Sequence, residues 1–250
     1  IVHESCDGRR NNVRQNVAKG FALWGISKGL GLPHGAIDRV SELMFLRRLL
    51  DQLQIDCVLD VGANQGQFAS ELRGIGYSGL IVSFEPVQEE FRILRERFRA
   101  DPGWRGFSLA LGSSSESKEI VISRLGVMNS LLEPINRRDV VRREMIEVRR
   151  LDSVLESELR DVQSSRIFLK MDTQGYDLEV FSGATGALDR VLGLQSELSV
   201  KPLYEGMPHY IQSLETYQSA GFDLYNLSVV NRIETGGLLE LNCFMRRSGA

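Results

Sequence analysis

The stretch Cys57-Val58-Leu59-Asp60-Val61-Gly62-Ala63-Asn64-Gln65-Gly66-Gln67-Phe68 decides how the rest of the chain is read. Cys57, Val58, Leu59 and Val61 make a short apolar run suited to a buried strand, with Asp60 at its carboxyl end. Gly62 and Gly66 allow a tight turn and a close approach of backbone to ligand, since neither carries a Cβ. A helix following this turn aims its first amides at the same place, where a polar or anionic group is stabilised. In open α/β sheets the crevice beyond the strand ends is where nucleotide-like ligands bind.

Spacing narrows the ligand. A dinucleotide fingerprint needs G-x-G-x-x-G, its middle glycine leaving room for a pyrophosphate. Here that position is Asn64, so the pattern is D-x-G-x-N-x-G with an acid ahead of the turn. An acid there repels a pyrophosphate but pairs with an ammonium or a hydroxyl. S-adenosylmethionine (SAM) offers an amino-acid moiety and a ribose and no phosphate, so the loop fits SAM better than NAD. The competing readings are a Rossmann oxidoreductase using NAD and a non-catalytic SAM-fold interaction subunit.

Composition is that of an ordinary globule. The chain has 250 residues, enough for one large α/β domain, with 42% hydrophobic and 25% charged residues. A net charge of -3 gives no general attraction to nucleic acid. Three widely spaced cysteines, Cys6, Cys57 and Cys243, provide neither a disulfide framework nor metal-ligand spacing, and a reducing cytoplasm is the default. No apolar run approaches the length of a membrane helix; Phe21–Ile26 is far too short.

The chain alternates strands and helices. Residues 1–36 read as a partly ordered lead-in that covers the cofactor, and 37–250 as the catalytic domain. Val40, Leu43, Met44, Leu46, Leu50 and Leu53 predict an amphipathic helix over 38–53. Strands are expected at 57–61, 80–84, 107–111, 166–171 and 192–200, with helices at 66–74, after Pro86 and from Asp177. This rhythm predicts a mostly parallel, doubly wound sheet. Half-exposed segments at 119–123 and 145–149 predict an inserted antiparallel hairpin appended to that sheet, and 222–230 with 238–246 a terminal pair.

Strand-end acids are the candidate working groups. Glu85 ends the second strand beside the glycine turn, where a carboxylate takes both ribose hydroxyls. Asp60 needs a partner close by, because a buried acid is costly without one. Asp172 ends the fourth parallel strand and is the candidate catalytic carboxylate, with His209 as the alternative base. Glu197 and Tyr204 are candidates for binding substrate hydroxyls, and Asn129 and Ser130 for covering the cofactor. One Asp without a second ligand cluster is not a metal site. The basic run Arg137, Arg138, Arg142, Arg143, Arg149 and Arg150 suits a phosphorylated acceptor or a membrane surface, but interleaved Asp139, Glu144 and Glu147 favour a solvated face with local ion pairs.

Together these pieces resemble a known family. Asp60-Val61-Gly62-Ala63-Asn64-Gln65-Gly66, Phe84-Glu85-Pro86, Ala110-Leu111-Gly112, Leu151-Asp152-Ser153, Leu169–Asp177 and Gly183-Ala184 are similar, in order and spacing, to the FkbM family of SAM-dependent methyltransferases. The resemblance implies a Rossmann-like class I methyltransferase fold with an antiparallel last strand. It also implies O-methylation of a hydroxyl on a sugar, glycolipid or polyketide-type small molecule. Cofactor contacts are carried over to Asp60, Gly62, Asn64, Gly66, Phe68, Glu85 and Pro86, and adenine contacts to the strand end with Ser108 and Ala110. Ser108 stands where the family usually has Asn.

Overall fold

The structure is a computed structural model and describes residues 34–162 and 166–250. All but the end of the expected lead-in, residues 1–36, lies outside the described residues. The chain divides into two compact units, residues 1–41 and 42–250, and the second holds every described strand.

Helix α1 (His34–Gln52) precedes strand β1 (Cys57–Val61). In α1 the side chains of Leu46, Leu49 and Leu50 are buried, whereas Met44, expected on that face, is 51% exposed. Then come α2 (Gln67–Gly74), β2 (Leu80–Phe84), α3 (Gln88–Phe98) and β3 (Trp104–Phe107). After an inserted region the chain continues through β7 (Ile167–Met171), α5 (Asp177–Ser182), β8 (Val191–Ser199), α6 (Tyr210–Ser219), β9 (Phe222–Arg232) and β10 (Leu238–Arg247). The seven strands run in the order β3-β2-β1-β7-β8-β10-β9. Those from β3 to β8 are parallel, and β10 is antiparallel to both β8 and β9. This is the Rossmann-like class I methyltransferase arrangement. The chain goes one way from β1 to β2 and returns on its other side at β7, so the switch point lies between β1 and β7.

β1 and β7 are buried along their whole length, which explains their near-continuous apolar runs. Leu59, Leu169 and Leu194 pack on one face of the sheet with α4 (Leu151–Ser157) and α5, and Val58, Ile81 and Phe168 on the other with α1 and α2.

Three expectations need correction. The apolar run 107–111 is not one strand: β3 ends at Phe107, and Ala110–Leu111 forms β4 in a second sheet. Aromatic packing decides the break, since Phe107 stacks on Phe84 and Trp104 on Phe98, each with centroids 5.5 Å apart. The insertion is accordingly not a hairpin on the main sheet. Strands β5 (Glu116–Ser123) and β6 (Val140–Arg149) pair antiparallel, β4 joins β6 in parallel, and the three form their own sheet. Finally, α6 was not expected. It is capped by His209, whose Nδ1 accepts a hydrogen bond from the Ile211 amide at 3.4 Å.

Candidate active site

The switch point, a usual place for a small-molecule site in an α/β sheet, opens into a cleft whose mouth meets solvent. Its floor is the turn after β1. Gly62 takes φ +73°, and a Cβ there would lie 2.0 Å from the carbonyl oxygen of Asp172. Asn64 is also left-handed, at φ 48°, a conformation that asparagine tolerates better than most residues. Gly66 serves packing instead, because its Cβ would meet Leu94 and Phe98 of α3 at 2.7 and 2.6 Å.

Glu85 forms the side of the cleft and is 5% exposed. One carboxylate oxygen accepts from the Asn64 amide and the other from the Val87 amide, both at 2.8 Å. Each oxygen keeps a free lone pair. Burial pushes the Glu85 carboxyl up to about 7, against the opposing pull of those two amides. Pro86 and Ala110 line the cleft together with Ile120, Val127 and Leu131 of the insertion, which gives it an apolar slot suited to a flat ring.

The insertion closes over this floor. Asn64 Nδ2 donates to the Gly126 carbonyl at 3.1 Å, and Ser130 Oγ to the Gln174 carbonyl at 2.8 Å. Asn129 and Ser130 both line the cleft. The Tyr204 hydroxyl lies 3.1 Å from the Met128 carbonyl and 2.9 Å from Gln174 Oε1.

Asp172 also lines the cleft, with its side chain 39% exposed. The carboxamide nitrogen of Gln174 donates to Asp172 at 3.1 Å and to Glu197 at 2.9 Å, joining the two carboxylates. Gln174 holds a left-handed φ of 53° to do so. Buried Asp177 fixes the loop from behind, accepting from the Thr173 amide at 2.9 Å and Ser196 Oγ at 2.7 Å. Burial, and then the nearby Asp172 carboxylate, drives the Glu197 carboxyl well above the usual range.

Of the residues singled out in the sequence, Gly62, Asn64, Glu85, Pro86, Ala110 and Asp172 meet in the cleft wall. Glu197 and Tyr204 reach it through Gln174. Gly66 and Phe68 belong to the packing of the first crossover helix, and Ser108 accepts from Gln88 Nε2 at 2.7 Å where the chain passes between sheets. His209 is exposed and caps α6. Asp60 is fully enclosed, with Oδ1 3.1 Å from Lys170 Nζ, but that oxygen receives no well-aligned hydrogen bond. Lys170 and Gln174 are the residues that sequence reasoning passed over. A lysine inside the buried run Ile-Phe-Leu-Lys-Met is itself the signal of a hidden acid. Within the arginine run, Arg137 pairs with Glu205 at 3.0 Å, Arg142 with Glu144 at 2.6 Å and Arg143 with Glu119 at 3.2 Å. Among the described residues no three His, Cys, Asp or Glu side chains converge as a metal site, and no helix is long and apolar enough to cross a membrane.

The chain matches the Methyltransferase FkbM domain over residues 60–224. No curated protein matches it. Among solved structures it is similar to magnesium protoporphyrin IX methyltransferase (ChlM) from Synechocystis PCC 6803 with bound SAM. That similarity has 11% identity, 99% of this chain and 100% of that chain covered, and a TM-score of 0.46. Aeropyrum pernix fibrillarin with natively bound SAM shows 12% identity over 76% of this chain and 66% of that chain, TM-score 0.44. Methanococcus jannaschii fibrillarin, a pre-rRNA processing protein, shows 11% identity over 78% and 68%, TM-score 0.46. With the family domain spanning the glycine turn, Glu85 and Asp172 alike, the chain belongs to the FkbM family of SAM-dependent methyltransferases.

Proposed function

We propose that the protein is an O-methyltransferase acting on a hydroxyl of a sugar, glycolipid or polyketide-type small molecule, with residues 37–250 as the catalytic domain. The observation that carries this reading is that Asp172 and Glu85 line one and the same cleft. Gly62, Asn64, Glu85, Pro86 and Ala110 would hold the cofactor, the Glu85 carboxylate taking the ribose hydroxyls and the apolar slot the adenine. SAM supplies the methyl electrophile when bound. Asp172 orients the acceptor hydroxyl and takes its proton, while Gln174, Glu197 and Tyr204 hold that carboxylate and the acceptor in place. Asp172 suits this task better than His209, because Asp172 lines the cleft while His209 caps α6 and is not among the residues lining it.

Incubation with labelled SAM and a panel of sugar, glycolipid and polyketide hydroxyl acceptors, followed by mass analysis, tests the reading. A methyl ether on at least one acceptor is expected; transfer only to nucleic acid or to a nitrogen would overturn it. Saturating SAM at about 100 times its dissociation constant is expected to add about 2.7 kcal/mol of stability. For a chain of this size that raises the melting temperature by about 5 to 10 °C, and NAD should leave it unchanged.

Glu85 gives the site a pH dependence. The native state holds its proton up to about pH 7, whereas the unfolded chain releases it near 4.5. Its contribution to stability is therefore full at acid pH and is lost as pH rises towards 7, by about 3 kcal/mol. Ribose hydroxyls donate to the ionised form, so SAM affinity should rise about tenfold between pH 6 and pH 8. Calorimetric titrations at those two pH values check this, and Glu85→Gln should flatten the dependence.

A further inference from the structure

Lys170 lies at the centre of the sheet and is 4% exposed. Parallel register places it opposite Asp60 on β1 and Gln195 on β8, and Asp60 in turn opposite Ser83 on β2. The four form a polar row across four neighbouring strands of the sheet. A buried ion pair contributes little net stability, because desolvating two charges offsets their attraction. Pairing with Asp60 alone therefore does not account for a lysine here.

Its other contacts do. An ammonium has three protons. Nζ donates to the Gly62 carbonyl at 3.2 Å and the Val61 carbonyl at 3.5 Å, with Asp60 Oδ1 at 3.1 Å and Asp172 Oδ2 at 3.6 Å as its ion-pair partners. The same two strand ends are joined by the Asp172 amide, which donates to the Val61 carbonyl at 3.2 Å. They approach so closely that only a glycine fits at position 62. Burial opposes the lysine's charge, but Asp60 and Asp172 outweigh it and hold the ammonium protonated.

We propose that Lys170 is a positioning residue of the cofactor cleft: it fixes the Val61–Gly62 turn against the Asp172 end of β7 and thereby sets SAM affinity. Its ion pair with Asp60 keeps the ammonium in place beneath the floor. The inference rests on the cleft being the SAM site and assigns the support of that site to a side chain that never faces the ligand.

The test compares the full chain with K170M and D60N/K170M, reading melting temperature and SAM dissociation constant by calorimetry. K170M strands the Asp60 charge and is expected to melt at a much lower temperature. D60N/K170M removes both charges and should melt near the wild type, yet bind SAM about tenfold or more weakly, the loss of one or two charge-assisted hydrogen bonds. Recovery of wild-type affinity in D60N/K170M would overturn the proposal, since Lys170 would then serve only to neutralise Asp60. Should D60N/K170M not fold, D60L/K170M fills the same space with apolar side chains and poses the same question. Failure of the wild type itself to bind SAM would instead remove the cofactor reading on which the proposal stands.

Discussion

Gly62→Ala is expected to destroy the cofactor site and much of the protein's stability together. Two effects add. The residue holds φ +73°, where an L side chain is strained by about 1 to 2 kcal/mol. The new methyl would also lie 2.0 Å from the Asp172 carbonyl oxygen. That neighbour is backbone, tied to Val61 by a 3.2 Å hydrogen bond, so no rotamer relieves the overlap. β1 and β7 must separate at the centre of the sheet. The combined loss is expected to reach about 4 kcal/mol or more, lowering the melting temperature by about 8 to 16 °C. Denaturant titration measures it, and SAM titration at low temperature should find no binding. Gly74→Ala is the matched control: nothing lies within 4 Å of its added methyl, and the residue ends a helix. Stability there should change by less than about 1 kcal/mol. Equal effects at the two positions would show that the close approach at Gly62 is not what matters.

Asp172→Ala should produce the largest loss of turnover. General-base and orienting groups contribute about 100- to 10,000-fold, so the rate constant for methyl transfer should fall within that range. SAM affinity should stay within about threefold, because the carboxylate acts on the acceptor rather than on ground-state cofactor binding. Asp172→Asn separates the two parts of the role. It keeps the hydrogen bond geometry with Gln174 but cannot take a proton, so it should be almost as slow as Ala while retaining acceptor affinity. Single-turnover transfer with whichever acceptor the panel identifies provides the measurement. Undiminished turnover in Asp172→Ala would pass the role to another group and bring His209 back into consideration.

The parts of the site that could be read from the sequence are those carried by short local signals. An apolar strand, a glycine turn and an acid at the strand end determine one another within a few residues, and so Gly62, Asn64, Glu85 and Asp172 were legible and meet in the cleft. Signals that depend on distant partners were not. The run 107–111 looks continuous, and only the stacking of Trp104 and Phe107 on side chains from α3 and β2 divides it between sheets. Asp60 looks like a ligand-facing acid until register sets Lys170 opposite it, 110 positions later in the chain. Helix α6 has only modest apolar patterning, and its start depends on an imidazole acting as cap, outside the usual Ser, Thr, Asp and Asn set. Tyr204 and Gln174 gain their meaning only when the insertion folds over the strand ends.

That covering segment is fastened at three places that belong to different parts of the chain: Asn64 after β1, Gln174 after β7 and Tyr204 after β8. Such a roof is not a detachable module. Grafting it onto a relative to change which hydroxyl is accepted would require carrying Gln174 and Tyr204 with it. A chimera exchanging the roof alone would lose its footing over donor and acceptor at the same time.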